Sequence, residues 1–238
     1  MVTENALPVV SLGADDSYCH GTTYANTLNA QNAGSTYLWN DNSTNQMLTV
    51  TTAGAYSVIV TDANGCVGKD TIVVTENALP VVSLGADDSY CHGTTYASTL
   101  DAQNAGSSYL WNDNSTNQTL TVTTTGTYSV IVTDANGCVG KDTIVVTENA
   151  LPVVSLGADT AICSGTSLTV DAQNAGSAYL WNDNSTNQTL TITTTGTYSV
   201  IVTDANGCVG KDTIVVTENA LPVVSLGADD SYCHGNYL

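Results

Sequence analysis

The stretch GTYSVIVTDANGCVGKDTIVVTE, from Gly196 to Glu218, carries two strand-like runs around a turn. In the first run Tyr198, Val200 and Val202 alternate with polar or opposite-facing residues, the period of a half-buried strand. The second run, DTIVVTE (Asp212 to Glu218), is rich in β-branched residues. Between them Asn206-Gly207 predicts the positive-φ positions of a tight hairpin, which presents Cys208 at its corner. Working outward, PVVSLG (Pro152 to Gly157) reads as a first strand with proline at its entry. SLTVDA (Ser167 to Ala172), AYLWN (Ala178 to Asn182) and QTLTIT (Gln188 to Thr193) each alternate at period two. Six short strands in about 70 residues predict a small β-sandwich.

The same letters recur. TDANGCVGKDTIVVTENALPVVSLGAD runs unchanged from Thr61 to Asp87, from Thr133 to Asp159 and from Thr203 to Asp229. The marker VTENALP begins at Val2, Val74, Val146 and Val216, giving spacings of 72, 72 and 70. The chain therefore divides into repeats 2–73, 74–145 and 146–215, with a partial fourth repeat, 216–238, that contributes a first strand. The two-residue loss falls where DDSYCHGTTYASTLDAQ becomes DTAICSGTSLTVDAQ in the third repeat. Repeats of this length close their own cores, which predicts a linear rod of beads.

Composition agrees with an all-β chain that folds: 42% of residues are hydrophobic and 11% charged. Three Lys against 22 acidic residues give a formal charge of -19. No basic surface exists to neutralise phosphates, so nucleic acid is excluded as a partner. No apolar run reaches the roughly 18 residues that cross a bilayer, so no membrane insertion is expected. The opening MVTENALPVV has neither the basic start nor the apolar stretch of a signal peptide, and an export signal is expected outside this chain.

The segments ICSGTSLTV, YLWNDNSTNQTLTITTTGTYSVIVTDANGC and DTIVVT resemble the immunoglobulin-like and PKD-like repeats of large cell-surface and secreted proteins of Bacteroidota. Their equivalents cover essentially the whole chain. The resemblance implies tandem immunoglobulin-like sandwiches in the stalk of a cell-surface adhesin, including the gliding-motility type, exported by type IX secretion. It implies no chemistry and no cofactor.

Trp39, Trp111 and Trp181 each follow a Tyr by two residues on the same strand face, and they are read as core together with Tyr56, Tyr128 and Tyr198. Exposed tryptophans would instead mark a glycan-binding module, the alternative from a different class. Accessory repeats of a secreted enzyme are a third reading, with the catalytic domain elsewhere. No nucleophile elbow, phosphate loop or catalytic acid pair is spelled here.

Seven cysteines fall two to a repeat, with Cys233 left over for a partner outside the chain. The favoured pairing lies within repeats: Cys19 to Cys66, Cys91 to Cys138 and Cys163 to Cys208. The alternative staples neighbours, Cys19 to Cys138 and Cys91 to Cys208, and zinc or free thiols are the third possibility. In a standard immunoglobulin sandwich the strands beside the two cysteines of a repeat run the same way, which sets the thiols at opposite ends. Pairing within a repeat requires the fifth strand to reverse. Either disulfide pattern implies an oxidising, extracellular compartment, with neighbouring repeats or copies of the chain as partners.

Asp15, Asp16, Asp87 and Asp88, with the pair Asp229-Asp230, are candidate Ca2+ ligands. His20, His92 and His234 follow a cysteine, but four zinc ligands at a familiar spacing are absent. Thr71, Thr143 and Thr213 in DTI, and Thr160 in DTA, match an Asp-Thr-aliphatic glycosylation signal. The three DTI threonines are read in preference as buried strand residues, and Thr160 as a loop residue.

Overall fold

A computed structural model describes residues 4–229. Among them are eighteen strands and no helix, in three successive modules of six. The first module holds β1 (Asp16–Cys19), β2 (Asn26–Asn29), β3 (Thr36–Trp39), β4 (Met47–Val50), β5 (Gly54–Thr61) and β6 (Val67–Asn77). The second holds β7 (Asp88–Cys91), β8 (Ser98–Asp101), β9 (Ser108–Trp111), β10 (Thr119–Val122), β11 (Gly126–Thr133) and β12 (Val139–Asn149). The third holds β13 (Thr160–Cys163), β14 (Leu168–Asp171), β15 (Ala178–Trp181), β16 (Thr189–Ile192), β17 (Gly196–Thr203) and β18 (Val209–Asn219).

Each module sets a four-stranded sheet against a two-stranded one, in the orders β1-β6-β5-β3 and β2-β4 in the first and β13-β18-β17-β15 and β14-β16 in the third. In the third module Val200, Val202, Ile214, Val216 and Trp181 of the larger sheet pack with Val170, Leu190 and Ile192 of the smaller. The tryptophans are buried, with Trp39, Trp111 and Trp181 each 1% exposed. Tyr198 is half-buried against this core, and its hydroxyl donates to the Thr194 carbonyl at 3.0 Å. A buried tryptophan and a tyrosine tied to the backbone a few residues upstream are immunoglobulin features. The chain is a tandem of small immunoglobulin-like β-sandwiches.

The hairpin that decides the fold is present, with β17 and β18 antiparallel from Gly196↔Val216 to Thr203↔Val209. Its turn differs from the expected two-residue type. Five residues, Asp204 to Cys208, form the loop, and only Gly207 takes a positive φ (80°). The Asp204 carboxylate shapes it by accepting the N–H groups of Asn206 and Cys208, both at 2.9 Å. That local capture supplies what a left-handed asparagine was expected to supply.

PVVSLG is not a strand. Residues 152–157 have no ladder partner and are held by side chains: Asp212 accepts the Leu156 N–H at 2.7 Å and Asn174 donates to the Val153 carbonyl at 2.8 Å. Gly210 lets the segment cross β18, because a Cβ there would stand 2.3 Å from the Pro152 carbonyl oxygen. The real first strand is β13, which runs parallel to β18 from Thr160↔Val216 to Cys163↔Asn219. This pairing also shifts the phase of the modules. The sequence boundaries at 73/74, 145/146 and 215/216 cut through β6, β12 and β18, whose last four residues belong to the preceding module. Residues 216–219 likewise finish β18 and 220–229 carry no strand, while 230–233, which correspond in sequence to β1 and β7, lie outside the described residues, as does the rest of the partial fourth repeat.

The chain forms two compact units, one of residues up to 88 with 96–146, the other of 89–95 with those from 147 onward.

Candidate functional site: the inter-module disulfides

Among the described residues two disulfides form, Cys19–Cys138 and Cys91–Cys208, each with Cα atoms 5.5 Å apart. Each lies wholly inside one compact unit. The favoured pairing within repeats is therefore overturned, and the reason is strand direction. β1 runs parallel to β6 and ends with Cys19 opposite Asn77, the last residue of β6, whereas Cys66 immediately precedes the first. Eleven strand residues separate the two positions. At about 3.3 Å per residue that is on the order of 35 Å, against a limit near 7 Å between bonded Cα atoms. The reversal that pairing within a repeat requires does not occur.

Each bond joins two preformed elements. One is the Asp-Ala-Asn-Gly-Cys loop, where Asp134 accepts the Cys138 N–H at 2.9 Å and donates its own N–H to the Cys138 carbonyl at 3.0 Å. The other is the end of a parallel strand, where the Cys19 carbonyl accepts the Thr22 hydroxyl at 2.7 Å. Beside it His20 Nδ1 lies 2.7 Å from Glu76 Oε1, and His92 lies 2.8 Å from Glu148 in the second module. The histidines thus meet a carboxylate, not a set of zinc ligands. In the third module Ser164 replaces the histidine, and the Glu218 N–H donates to Thr195 at 2.7 Å. Cys138 and Cys208 are fully buried. Cys66 is half-buried and Cys163 exposed, and both are free thiols. Cys233 and His234 lie outside the described residues.

The carboxylates named as Ca2+ ligands accept hydrogen bonds. Asp15 and Asp87 accept the N–H groups of Val73 and Val145, each at 2.9 Å. Asp16 and Asp88 accept the hydroxyls of Tyr24 and Tyr96, each at 2.8 Å. The Tyr24 hydroxyl, and after it the Ser17 N–H, hold the Asp16 carboxyl below its ordinary value. Among the described residues no three His, Cys, Asp or Glu side chains gather where they could hold a metal. Asp229 is described and Asp230 is not.

Thr71, Thr143 and Thr213 are exposed, contrary to the buried reading, because the inward residue of each DTI is the isoleucine: Ile72, Ile144 and Ile214 are buried. Thr160 is also exposed, but it opens β13 instead of lying in a loop. Tyr56 and Tyr128, like Tyr198, are half-buried. The tryptophan indoles point inward, each N–H donating at 2.8 Å to the carbonyl of Asn45, Asn117 or Asn187, so no ring is presented for stacking on a sugar.

No protein-family model and no curated protein matches the sequence. Solved structures that are similar over most of the chain include a three-domain immunoglobulin fragment of titin, at 12% identity and a TM-score of 0.44, covering 87% of this chain and 96% of that one. Extracellular domains 3–5 of Drosophila OTK give 11% identity and 0.39, covering 88% and 95%. Immunoglobulin domains 1–5 of Sidekick-1 give 11% and 0.42, covering 92% and 60%.

Proposed function

We propose that the chain is a structural, extracellular repeat array that serves as the stalk of a cell-surface adhesin, of the type its sequence resembles in Bacteroidota, with type IX secretion as its route of export. The observation that carries this is the staggered pair of disulfides: the first cysteine of one repeat is bonded to the second cysteine of the next, twice. A bond within a module would stabilise that module alone, whereas these bonds make covalent continuity independent of any single peptide bond between Cys19 and Cys208. Bonds of this kind persist outside the reducing cytosol. The acidic surface, at a formal charge of -19, keeps such an array soluble. The glycan-binding alternative draws no support from the tryptophans, which are core.

Lysine-specific cleavage tests this directly, because the only basic residues besides histidine are Lys69, Lys141 and Lys211. Under denaturing, non-reducing conditions, cuts after Lys69 and Lys141 leave residues 1–211 as one covalent particle that separates into three on reduction. Pairing within repeats would release the three pieces without reductant, and that result would end the structural-array reading.

A further inference from the structure

The outer faces of the two sheets in a module carry single charges of opposite sign. On the larger sheet of the third module an outward row runs Leu180↔Ile201↔Lys211 across three strands, with Val209 and Val215 exposed on the same side of β18. The four apolar residues are 40–48% exposed, and Lys211 is exposed among them. Its neighbour Asp212 points the other way, toward the Leu156 N–H, so no acid of these strands lies on the lysine face. The row recurs as Leu38↔Ile59↔Lys69 and Leu110↔Ile131↔Lys141. Among the described residues none of the three lysines has an ion-pair partner, in a chain with 22 acids.

The smaller sheet turns Thr169 and Asp171 of β14 and Thr189 and Thr191 of β16 outward, paired as Thr169↔Thr191 and Asp171↔Thr189. Asp171 is the one charge among these strand residues. Gln188 Nε2 at 2.8 Å and the Gln173 N–H at 2.7 Å donate to its carboxylate and hold it ionised, below its ordinary value. Asp101 repeats the arrangement in the second module with Gln118 and Gln103, both at 2.8 Å, whereas Asn29 takes that place in the first.

We propose that copies of the chain stack sheet on sheet, the lysine face of the larger sheet in one copy resting on the aspartate face of the smaller sheet in the next. Packed sheets stand about 10 Å apart, a gap in which a lysine stem lies along apolar neighbours while its ammonium reaches the carboxylate opposite. The charges select a second copy as the occupant. At a formal charge of -19 two chains repel wherever acid meets acid, and the lysine face is where one copy receives the acid of another. Because the two faces differ, the contact is heterologous and lets copies add one after another. One such face presents on the order of a few hundred Å2, against about 800 Å2 per partner in a standard interface. Association is therefore weak and draws on more than one module at a time. This goes beyond the structural-array reading, since it concerns how separate chains bundle and no step of it passes through a disulfide.

The test uses the full chain with its free thiols alkylated, so that no new disulfide forms, and follows weight-average mass by sedimentation at about 0.15 M salt. The expected result is a mass that climbs past dimer as the protein is raised to about 1 mM. The triple variant Lys69→Glu, Lys141→Glu, Lys211→Glu and the double variant Asp101→Lys, Asp171→Lys each weaken association at least about tenfold. An equal mixture of the two restores it, because every lysine or glutamate face then meets its opposite. The aspartate variant is the sharper one. It lowers the chain's negative charge, so association governed by net charge alone rises, whereas stacking predicts its loss. Asp101→Glu with Asp171→Glu keeps the wild-type behaviour. The proposal is overturned by a wild type that stays monomeric, by an Asp→Lys variant that associates as well as the wild type, or by a mixture that stays apart. A non-reducing peptide map of the same samples reports separately on Cys19–Cys138 and Cys91–Cys208, so the failure of one reading is distinct from failure of the other.

Discussion

β1 and β13 hold the same place in their modules, each four residues long and parallel to the end of its module's longest strand, yet they are built from different chemistry. β1 is polar and aromatic. Tyr18 stacks on Tyr24 with ring centroids 4.7 Å apart, and Tyr24 donates to Asp16. β13 is aliphatic at the corresponding position: Ile162 is buried at 9% exposure and packs in the third module's core. Thr160 stands where Asp16 stands, and the two-residue loss shortens the following loop so that Tyr24 has no counterpart. The tyrosine pair and the carboxylate are absent together. The strand is positioned by its ladder and by the Thr–Cys turn after it, while the side chains on its inner face form a set that is exchanged as a whole.

Changes in the framework common to both modules give the largest effects. Trp181→Ala in the third module and Trp39→Ala in the first are each expected to cost about 3–5 kcal/mol in urea unfolding. A clear inequality between the two would break the equivalence of the modules. Gly210→Ala forces the crossing segment off β18 and is expected to cost about 1–3 kcal/mol, with Gly68→Ala matching it in the first module. An unchanged midpoint for either variant would show that the Pro152 or Pro8 segment is not held where described.

The tyrosine pair separates the modules at smaller scale. A double-mutant cycle of Tyr18→Ile and Tyr24→Ala is expected to show a coupling of about 0.5–1.5 kcal/mol. A zero coupling would mean that the two tyrosines were not exchanged as a pair. The smallest difference is in acid. Asp16 has its carboxyl held below the ordinary 3.8, chiefly by Tyr24. Its contribution is thus complete above that ordinary value and is lost as pH falls through the lower folded one. In an NMR titration the Ser17 amide should move with a midpoint below 3.8, and the Ala161 amide of β13, next to Thr160, should not follow it. A Ser17 midpoint at or above the ordinary value removes the contrast.

Much of this was legible in the letters. The hairpin, the inward tryptophans and the period of the array follow from alternation and self-similarity, both local properties. The errors share a cause: they depend on which backbone lies alongside which. PVVSLG alternates like a strand, and Val154 and Leu156 do turn inward, but a strand also needs a ladder partner, and here Asp212 and Asn174 take that role with side chains. The DTI threonines were placed on the wrong face because alternation alone does not say which face is inner; the buried isoleucines decide it. The disulfide pattern turned on one fact absent from local sequence, that β1 runs parallel to β6. The sequence had named both pairings, and only that direction separates them.

The stagger of the two bonds has a consequence for extension. Cys19 and Cys208 are 189 positions apart, and a chain without cross-links between them would pay out on the order of 640 Å at about 3.4 Å per residue if drawn straight. With Cys19 tied to Cys138 and Cys91 to Cys208, the load passes from 19 to 138, back along the 47 positions to 91, and across to 208. Only about 160 Å of backbone remains to be drawn out. Even with every sandwich undone, the thread stops short at a quarter of its length, and its two ends stay joined.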